Sequence, residues 1–392
     1  MAEAAAHLND HVLPEVPVRQ WVISFPWKLR YLLALDAELC REVRRIFLRA
    51  VFAFYSTRAR DEGIAGGRTG AVCQVQRFGS TANSNLHFHS LVLDGVYWAP
   101  DPLTPPTFHR ARRITDAEVA KLLFTIRSRV LRLCRRRGLL LDEEELVPVF
   151  DEQEQGLLPL LCAASIQGRV ALGPEAGSRI TRLGRPVVED AGGAVVLKEL
   201  CAELDGFNLH AAVRVDGEHQ RDRLEHLCRY ITRPALSSNR LSIDEQGRVV
   251  LRLRVPFRDG TTHFVFDPLV FIERLAALVP PPRMHQLTYH GVLAPAASWR
   301  SDIVPGRDRE GESSRGSPNA SRPHWRYSWS ELLARVFAVD VLKCPVCGSR
   351  RRWISAMTER EVIERILSHL GLDPELPTPA PARPPPQEGC PF

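Results

Sequence analysis

No stretch of this sequence holds enough consecutive apolar residues to cross a membrane. Residues Met1 to Pro17 carry Glu3, Asp10 and Glu15 and no continuous apolar core, unlike a secretory signal. The chain is therefore expected to be soluble and cytoplasmic, with no membrane partner. A disulfide framework is also lacking: the nine cysteines are odd in number and mostly sit singly in apolar segments, as Cys134 and Cys228 do, the pattern of reduced core residues. Only Cys344 and Cys347 are closely paired. There is no internal repeat, and a formal net charge of +6 is modest for 392 residues. What is present is apolar material: 44% of the residues can bury a substantial core, enough for two or three domains.

Charge is uneven along the chain. Between Arg110 and Arg137 ten Lys or Arg residues face two acids, and from Arg221 to Arg258 nine face four. Both clusters suit a polyanion, and both suit a solvated helix face equally well. The segment Trp21 to Tyr55 has apolar residues at helical spacing, from Leu32 to Val51, and predicts one or two amphipathic helices. Ala71 to Gln76 and Leu86 to Tyr97 read as an antiparallel hairpin across the turn formers Gly79, Ser80, Asn83 and Ser84. Thr115 and Glu118 make a capping box for a helix running to Gly138. Leu157 to Ala164 predicts a short helix, Gly168 to Gly193 connecting structure, and Phe207 to Val215 a strand. Asp222 to Arg233 is helical, carries Tyr230, and ends at Pro234. Val249 to Val255 alternates with Arg248, Arg252 and Arg254, giving a strand with one cationic face, and Asp267-Pro268 starts a helix through Leu278.

The chemistry gathers around His87-Phe88-His89. Side chains alternate along a strand, so both imidazoles leave one face while Phe88 enters the core. Two neutral imidazoles can chelate a divalent ion, although such pairs are often incidental. On the preceding strand Gln74 and Gln76 alternate with Cys73 and Val75, and Gln76 could add an amide oxygen as a third ligand. Hairpin register decides whether it faces the histidines. Taken by itself, Tyr230 reads as a tyrosine packed beside a proline-terminated helix; its neighbours Arg229 and Arg233 suit a phosphate.

Several blocks carry a resemblance: Gln76-Arg77-Phe78-Gly79-Ser80, Asn85 to Tyr97 with the histidine pair, Ala164 to Gly173, Leu227 to Pro234, Tyr289 to Pro295, and Cys344-Pro345-Val346-Cys347-Gly348. Together they closely resemble the rolling-circle transposases of the insertion-sequence ninety-one family, members of the HUH class in which two histidines flank a hydrophobic residue. The resemblance implies an α+β fold, an HUH-nuclease-like antiparallel sheet with helices on one side, and a small carboxy-terminal unit. It also implies a nuclease in which Tyr230 attacks a phosphodiester and becomes linked to the 5′ phosphate. Mg²⁺ or Mn²⁺ would sit on His87, His89 and Gln76, and single-stranded DNA at element ends and target would be the partner, contacted by Arg229, Arg233, Arg252 and Arg254. Self-association is equally compatible.

Two departures from the family stand out. Some members carry two tyrosines four residues apart on this helix, whereas here the earlier position is His226, a single-tyrosine pattern; His226 is then an activator of Tyr230, a metal neighbour, or a surface residue. Family members also carry an amino-terminal cysteine-rich zinc module, which this sequence, beginning at Met1, does not include. Cys344 and Cys347 have the spacing of one zinc knuckle, but four ligands are needed and only His369 and Cys390 follow, so Zn²⁺ there is one reading and a vestigial turn the other. The expected domains are a nuclease core over 18–295, a flexible linker over 296–324, the small unit over 325–372 and a disordered proline-rich tail over 373–392. The rival reading is a non-catalytic DNA-binding transposase remnant that occupies element ends.

Overall fold

The computed structural model describes residues 1–139, 156–184, 199–257, 259–305, 327–352 and 357–372. The chain divides into two compact units, Glu3–Pro318 and Asn319–Phe392. In the first, α1 (Ala2–His11) and β1 (Val18–Ser24) precede α2 (Trp27–Leu35), α3 (Ala37–Asp61), β2 (Gly70–Phe78) and β3 (Ser84–Leu93). A short hairpin of β4 (Gly95–Trp98) and β5 (Thr107–Arg110) leads to α4 (Asp116–Arg136), and later to α5 (Leu157–Gln167) and β6 (Thr181–Gly184). Then come β7 (Cys201–Leu204), β8 (Phe207–His210), β9 (Arg214–Val215), α6 (Arg221–Ile231), β10 (Leu241–Ile243), β11 (Val249–Arg252) and β12 (Thr261–Phe266). The unit closes with α7 (Pro268–Leu278), β13 (Leu287–Gly291) and α8 (Arg300–Ile303).

This is a mixed α+β architecture, compatible with an HUH-like fold. Its main sheet has the order β13-β2-β3-β1-β8-β7, with β9 also paired to β1, and every pairing is antiparallel. A second antiparallel sheet runs β10-β11-β12-β6. On one face of the main sheet, α2, α3 and α4 bury Trp21, Ile23, Cys73, Val75, Phe88 and Val92. The other face also carries helices: α1 and α6 bury Val18, Val72, Leu91 and Leu93. The histidine face is thus partly roofed, not open.

Several elements follow directly from local chemistry. Helix α4 begins at the expected capping box, with Thr115 and Glu118 each bonding the other's backbone. Helix α3 is capped by Asp36, whose carboxylate accepts from the amides of Glu38 and Leu39 at 2.8 Å, a contact of about 1 kcal/mol. Helix α7 stands where the pattern put it, and so does the β2–β3 hairpin as far as Leu93; the strand expected to continue to Tyr97 breaks at Asp94, after which Gly95–Trp98 pairs with β5 in a separate sheet. Trp21, by contrast, begins no helix: it lies in β1, where the polar residues Arg19 and Gln20 are buried alongside apolar ones, so no apolar–polar alternation betrays a strand. The strand expected over Phe207 to Val215 is broken in two, β8 and β9, and between them the Ala211 carbonyl accepts from the Arg19 guanidinium at 2.7 Å. The cationic strand stops at Arg252, and Val255 is exposed. Strand β6 lies within the stretch read as connecting structure; residues 185–193 of that stretch lie outside the described residues.

The packed core extends past the expected 18–295 boundaries. Leu8, Val12 and Leu13 before it and Ile303 and Val304 after it join one buried cluster. Those two apolar residues are diluted in a polar stretch and so do not register in composition. The rest of the expected linker from 306, and the tail from 373, lie outside the described residues. The block Ala164 to Gly173 has a bracing role: Ser165 Oγ accepts from the Ser84 amide at 2.8 Å, and the buried Arg274 of α7 donates to the Ser165 carbonyl at 2.7 Å. Gly291, at φ +61°, turns the chain so close to Thr69 that a Cβ would meet the Thr69 carbonyl. Among the described residues no helix is long and apolar enough to cross a membrane.

The second unit holds α9 (Trp329–Phe337), with a Ser328–Glu331 capping box, and α10 (Arg360–His369).

At the junction of β3 and β4, Asp94 is 2% exposed and accepts from Arg19 at 2.9 Å, Arg214 at 2.7 Å and the Tyr55 hydroxyl at 2.8 Å. Tyr55 in turn accepts from the Trp21 indole at 3.2 Å. One carboxylate thus joins α3, β1, β3 and β9. Removing it leaves the buried Arg19 without its counter-charge, so Asp94→Ala is expected to cost about 3–5 kcal/mol in urea unfolding; a cost below about 1 kcal/mol, the scale of a surface pair, would show the network to be solvated.

Candidate active site

Strand register assembles the site. In the β2–β3 pair Gln76 lies opposite His87 and Gln74 opposite His89, and in the β1–β3 pair Ser24 lies opposite His87 and Val22 opposite His89. Residues opposed across an antiparallel pair share a face. The two imidazoles and both glutamines therefore leave the α6 face, while Phe88 between them packs against Phe25 and Phe47 at centroid distances of 5.1 and 6.3 Å. The imidazole centroids are 4.8 Å apart, and the Tyr230 ring meets His89 edge-on at 5.6 Å.

Helix α6 is held there by Gln76. Its amide Nε2 donates to the Ile231 carbonyl at 2.9 Å and the Tyr230 carbonyl at 3.4 Å. These belong to the last helical turn, whose carbonyls have no partner within the helix. The side chain that register places beside His87 thus also anchors the tyrosine's backbone.

Two buried polar atoms are left over. Gln76 Oε1 and His89 Nε2 are buried without a hydrogen-bond partner among the described residues. His87 Nδ1 lies 2.7 Å from the Asn85 carbonyl and donates to it, which leaves its Nε2 lone pair unused. Gln20, on β1, reaches His89 Nδ1 at 2.8 Å. A carboxamide presents an oxygen or a nitrogen by a half-turn, so Gln20 can serve either tautomer of that ring. His210 of β8, opposite Val22, faces the same way, and its charge acts on His89. Unsatisfied buried acceptors are costly unless something occupies them. Two imidazole nitrogens and an amide oxygen form a donor set that fits a divalent cation. Among the described residues no group of three or more His, Cys, Asp or Glu does so, which makes the amide oxygen essential to the fit.

Burial lowers His87 to about 4, with the charges of Arg233 and Arg30 acting in the same direction against the Asn85 hydrogen bond. His89 is held well below the ordinary range by burial, then by His87, Arg233 and His210. Both rings are thus neutral, the form that ligates metal.

Cations crowd the same end of the sheet. The Arg233 guanidinium lies 4.4 Å from the Tyr230 ring centroid and 5.9 Å from that of Phe78. Arg240 donates to the Arg252 carbonyl at 2.7 Å and the Ser80 carbonyl at 2.8 Å. It is lowered by burial and by the charges of Arg254, Arg233 and Arg252, so these four share one neighbourhood. Arg252 and Arg254 are exposed, as an alternating cationic strand predicts. Arg229 instead leans toward Glu225 at 4.0 Å on its own helix. Sequence reasoning missed Gln20, His210, Arg30 and Arg240. Gln20 and His210 are visible only once β1 and β8 are known to be neighbours, and Arg240 was one of many arginines in a run.

In the second unit, the Cys344 amide donates to the Ser349 carbonyl at 2.8 Å and the Gly348 amide to the Cys344 carbonyl at 2.9 Å, with Gly348 at φ +72°. The backbone amides of Cys347 and Val346, then Arg351, lower the Cys344 thiol to about 6. The pair forms a tight turn whose amides point at sulfur.

The pH behaviour of His87 follows from its burial. Its folded value of about 4 lies below the ordinary 6.5, so between these the unfolded chain binds the proton first and stability falls as pH falls through that window, with no loss above it. The ring resonances of His87 are expected to titrate near pH 4 by NMR, and His87→Gln to flatten that part of the stability curve. A midpoint near 6.5 would mean the ring is solvated.

Compared with known proteins, residues 70–301 match the family model described as "Putative transposase", Y2_Tnp. No curated protein and no solved structure matches the chain. The matched segment runs from the start of β2 to α8 and includes the histidine pair, Gln76 and Tyr230, and on this match over more than half its length the chain belongs to that transposase family.

Proposed function

We propose that this transposase is a metal-dependent tyrosine nuclease and strand transferase of the HUH type, acting on single-stranded DNA in rolling-circle transposition. The observation that carries the reading is Tyr230 edge-on to His89, with its helix tied to the sheet through Gln76. His87, His89 and the Gln76 amide oxygen would hold Mg²⁺ or Mn²⁺, which when bound polarises the phosphate and offsets its developing charge.

In the reaction the Tyr230 phenol oxygen bonds to phosphorus, the bond from phosphorus to the 3′ oxygen breaks, and the 3′ oxygen takes up a proton. The phenol proton passes to a base. His226, one helical turn before Tyr230, is lowered by burial and by the charges of Arg229 and Arg254, which favours the unprotonated form that role needs. Reversal by a 3′ hydroxyl reseals or transfers the strand, because the phosphotyrosine keeps the bond energy. Arg233, Arg252 and Arg254 line the approach and would hold backbone phosphates, with Arg229 at its edge. His226 in place of a second tyrosine supports the single-tyrosine branch. The Cys344–Cys347 turn supports Zn²⁺ as a half-site in the second unit.

Two experiments test this. Labelled single-stranded DNA from an element end, incubated with the chain and Mn²⁺, is expected to yield a denaturation-resistant protein–DNA adduct that Tyr230→Phe abolishes while binding persists. An adduct in the Phe variant would acquit Tyr230, and none in the wild type would favour a non-catalytic DNA-binding role. Separately, His87→Ala with His89→Ala removes two ligands and is expected to abolish Mn²⁺ binding in calorimetry; unchanged affinity would eliminate this metal site.

A further inference from the structure

We propose that Trp27 and Arg30, on α2, form a platform that receives one unpaired nucleotide beside the candidate active site, the base on the indole and the phosphate on the guanidinium. The proposal rests on the single-stranded DNA reading above and gives it a residue-level basis that the arginines alone do not supply, since a cationic surface holds duplex and single strand alike.

Trp27 is 45% exposed, although the residues two positions to either side, Phe25 and Leu29, are 1% and 0% exposed. It is the first residue of α2 and follows the helix cap Pro26. That start is braced from the β7–β8 turn, where Gly206, at φ +76°, comes so close that a Cβ would lie 3.0 Å from the Pro26 side chain. The indole is therefore a large apolar surface on a rigid element. The Lys28 ammonium lies 5.9 Å from its ring centroid.

Arg30 follows three residues later, on the same flank of the helix. It donates to Asn85 Oδ1 at 2.7 Å, and the carbonyl of that same Asn85 accepts from His87 Nδ1 at 2.7 Å. Its charge acts on His87, and its Nε is buried without a hydrogen-bond partner among the described residues. No ion pair is formed by Arg30 among those residues. A phosphate against the half-buried guanidinium supplies the missing counter-charge, and the base attached to it then lies within reach of an exposed indole. A base can stack only when it is out of the duplex, so this platform selects single strands.

The test measures binding in the Tyr230→Phe background, where no cleavage intervenes, so its outcome is independent of which group is the nucleophile. Fluorescence anisotropy with oligothymidylate is expected to show Trp27→Ala weakening affinity by about 5- to 150-fold, the range for one lost base stack. The salt slope should stay unchanged for Trp27→Ala, because stacking releases no counterion, and Trp27→Phe should retain most of the affinity. Arg30→Gln should lower the slope by about 0.7, one phosphate on a single strand. Binding to the matching duplex should be indifferent to Trp27→Ala. The proposal is overturned if Trp27→Ala binds single strands as tightly as its parent, if it loses duplex and single-strand binding equally, or if the parent binds no single-stranded DNA.

Discussion

Gln76 donates to the last carbonyls of α6 from a position opposite His87, and through that one side chain the histidine strand and the tyrosine helix share a coordinate frame. At its other end the helix is tied by Arg221, which donates to the Leu13 carbonyl at 3.1 Å, and along its length it rests on apolar contacts, Leu224, Leu227, Cys228 and Ile231 against the sheet. Such contacts set distance well and rotation poorly, since dispersion is non-directional. A buried amide bonded to two carbonyls fixes the rotation. Gln76 is 1% exposed, so replacing it with an apolar residue would take the side-chain donor from the Ile231 carbonyl as well as deleting the oxygen proposed for the metal. Structure and chemistry are coupled at this residue.

The two arginine-rich stretches have opposite fates. On and beside α4, Arg137 meets Glu42 at 2.7 Å and Asp36 at 3.1 Å, Arg127 meets Asp205 at 2.7 Å, and Arg110 meets Glu218 at 3.0 Å. That helix packs on the sheet face away from the histidines. These charges serve mainly as local partners on the surface. Around Tyr230 the balance differs: Arg30, Arg233, Arg240, Arg252 and Arg254 form no ion pair among the described residues, and burial together with mutual repulsion lowers Arg233 and Arg240. A cluster that pays this electrostatic cost without carboxylates is suited to an anion supplied from outside.

Burial also determines how the histidines behave. Two imidazoles side by side near other cations would repel if protonated, and burial pushes both rings low enough that neither is. The same feature that destabilises the protein at acid pH keeps the lone pairs available for a cation. The unpartnered buried atoms of Gln76 and His89 therefore coincide with rings that stay neutral.

Periodicity in the amino-acid sequence by itself determined the hairpin carrying His87 and His89, the capped helix α4, the helices α6 and α7, and the shared face of the two imidazoles. Each depends on neighbours within a few residues, where side-chain alternation and capping geometry are local properties. The tertiary structure alone decided what stands opposite those residues. Register set Gln76 against His87 and not one residue away, and the placement of β1 in the sheet's centre brought Gln20 to His89. Because β1 buries the polar Arg19 and Gln20 beside its apolar residues, it carries no clean strand signature, and with it Gln20, Trp27 and the neighbourhood of Arg30 stayed out of view. The approach of Tyr230 to His89 joins positions 141 residues apart (230 − 89). No local pattern encodes such a contact; it follows from packing α6 on the face that the histidines share.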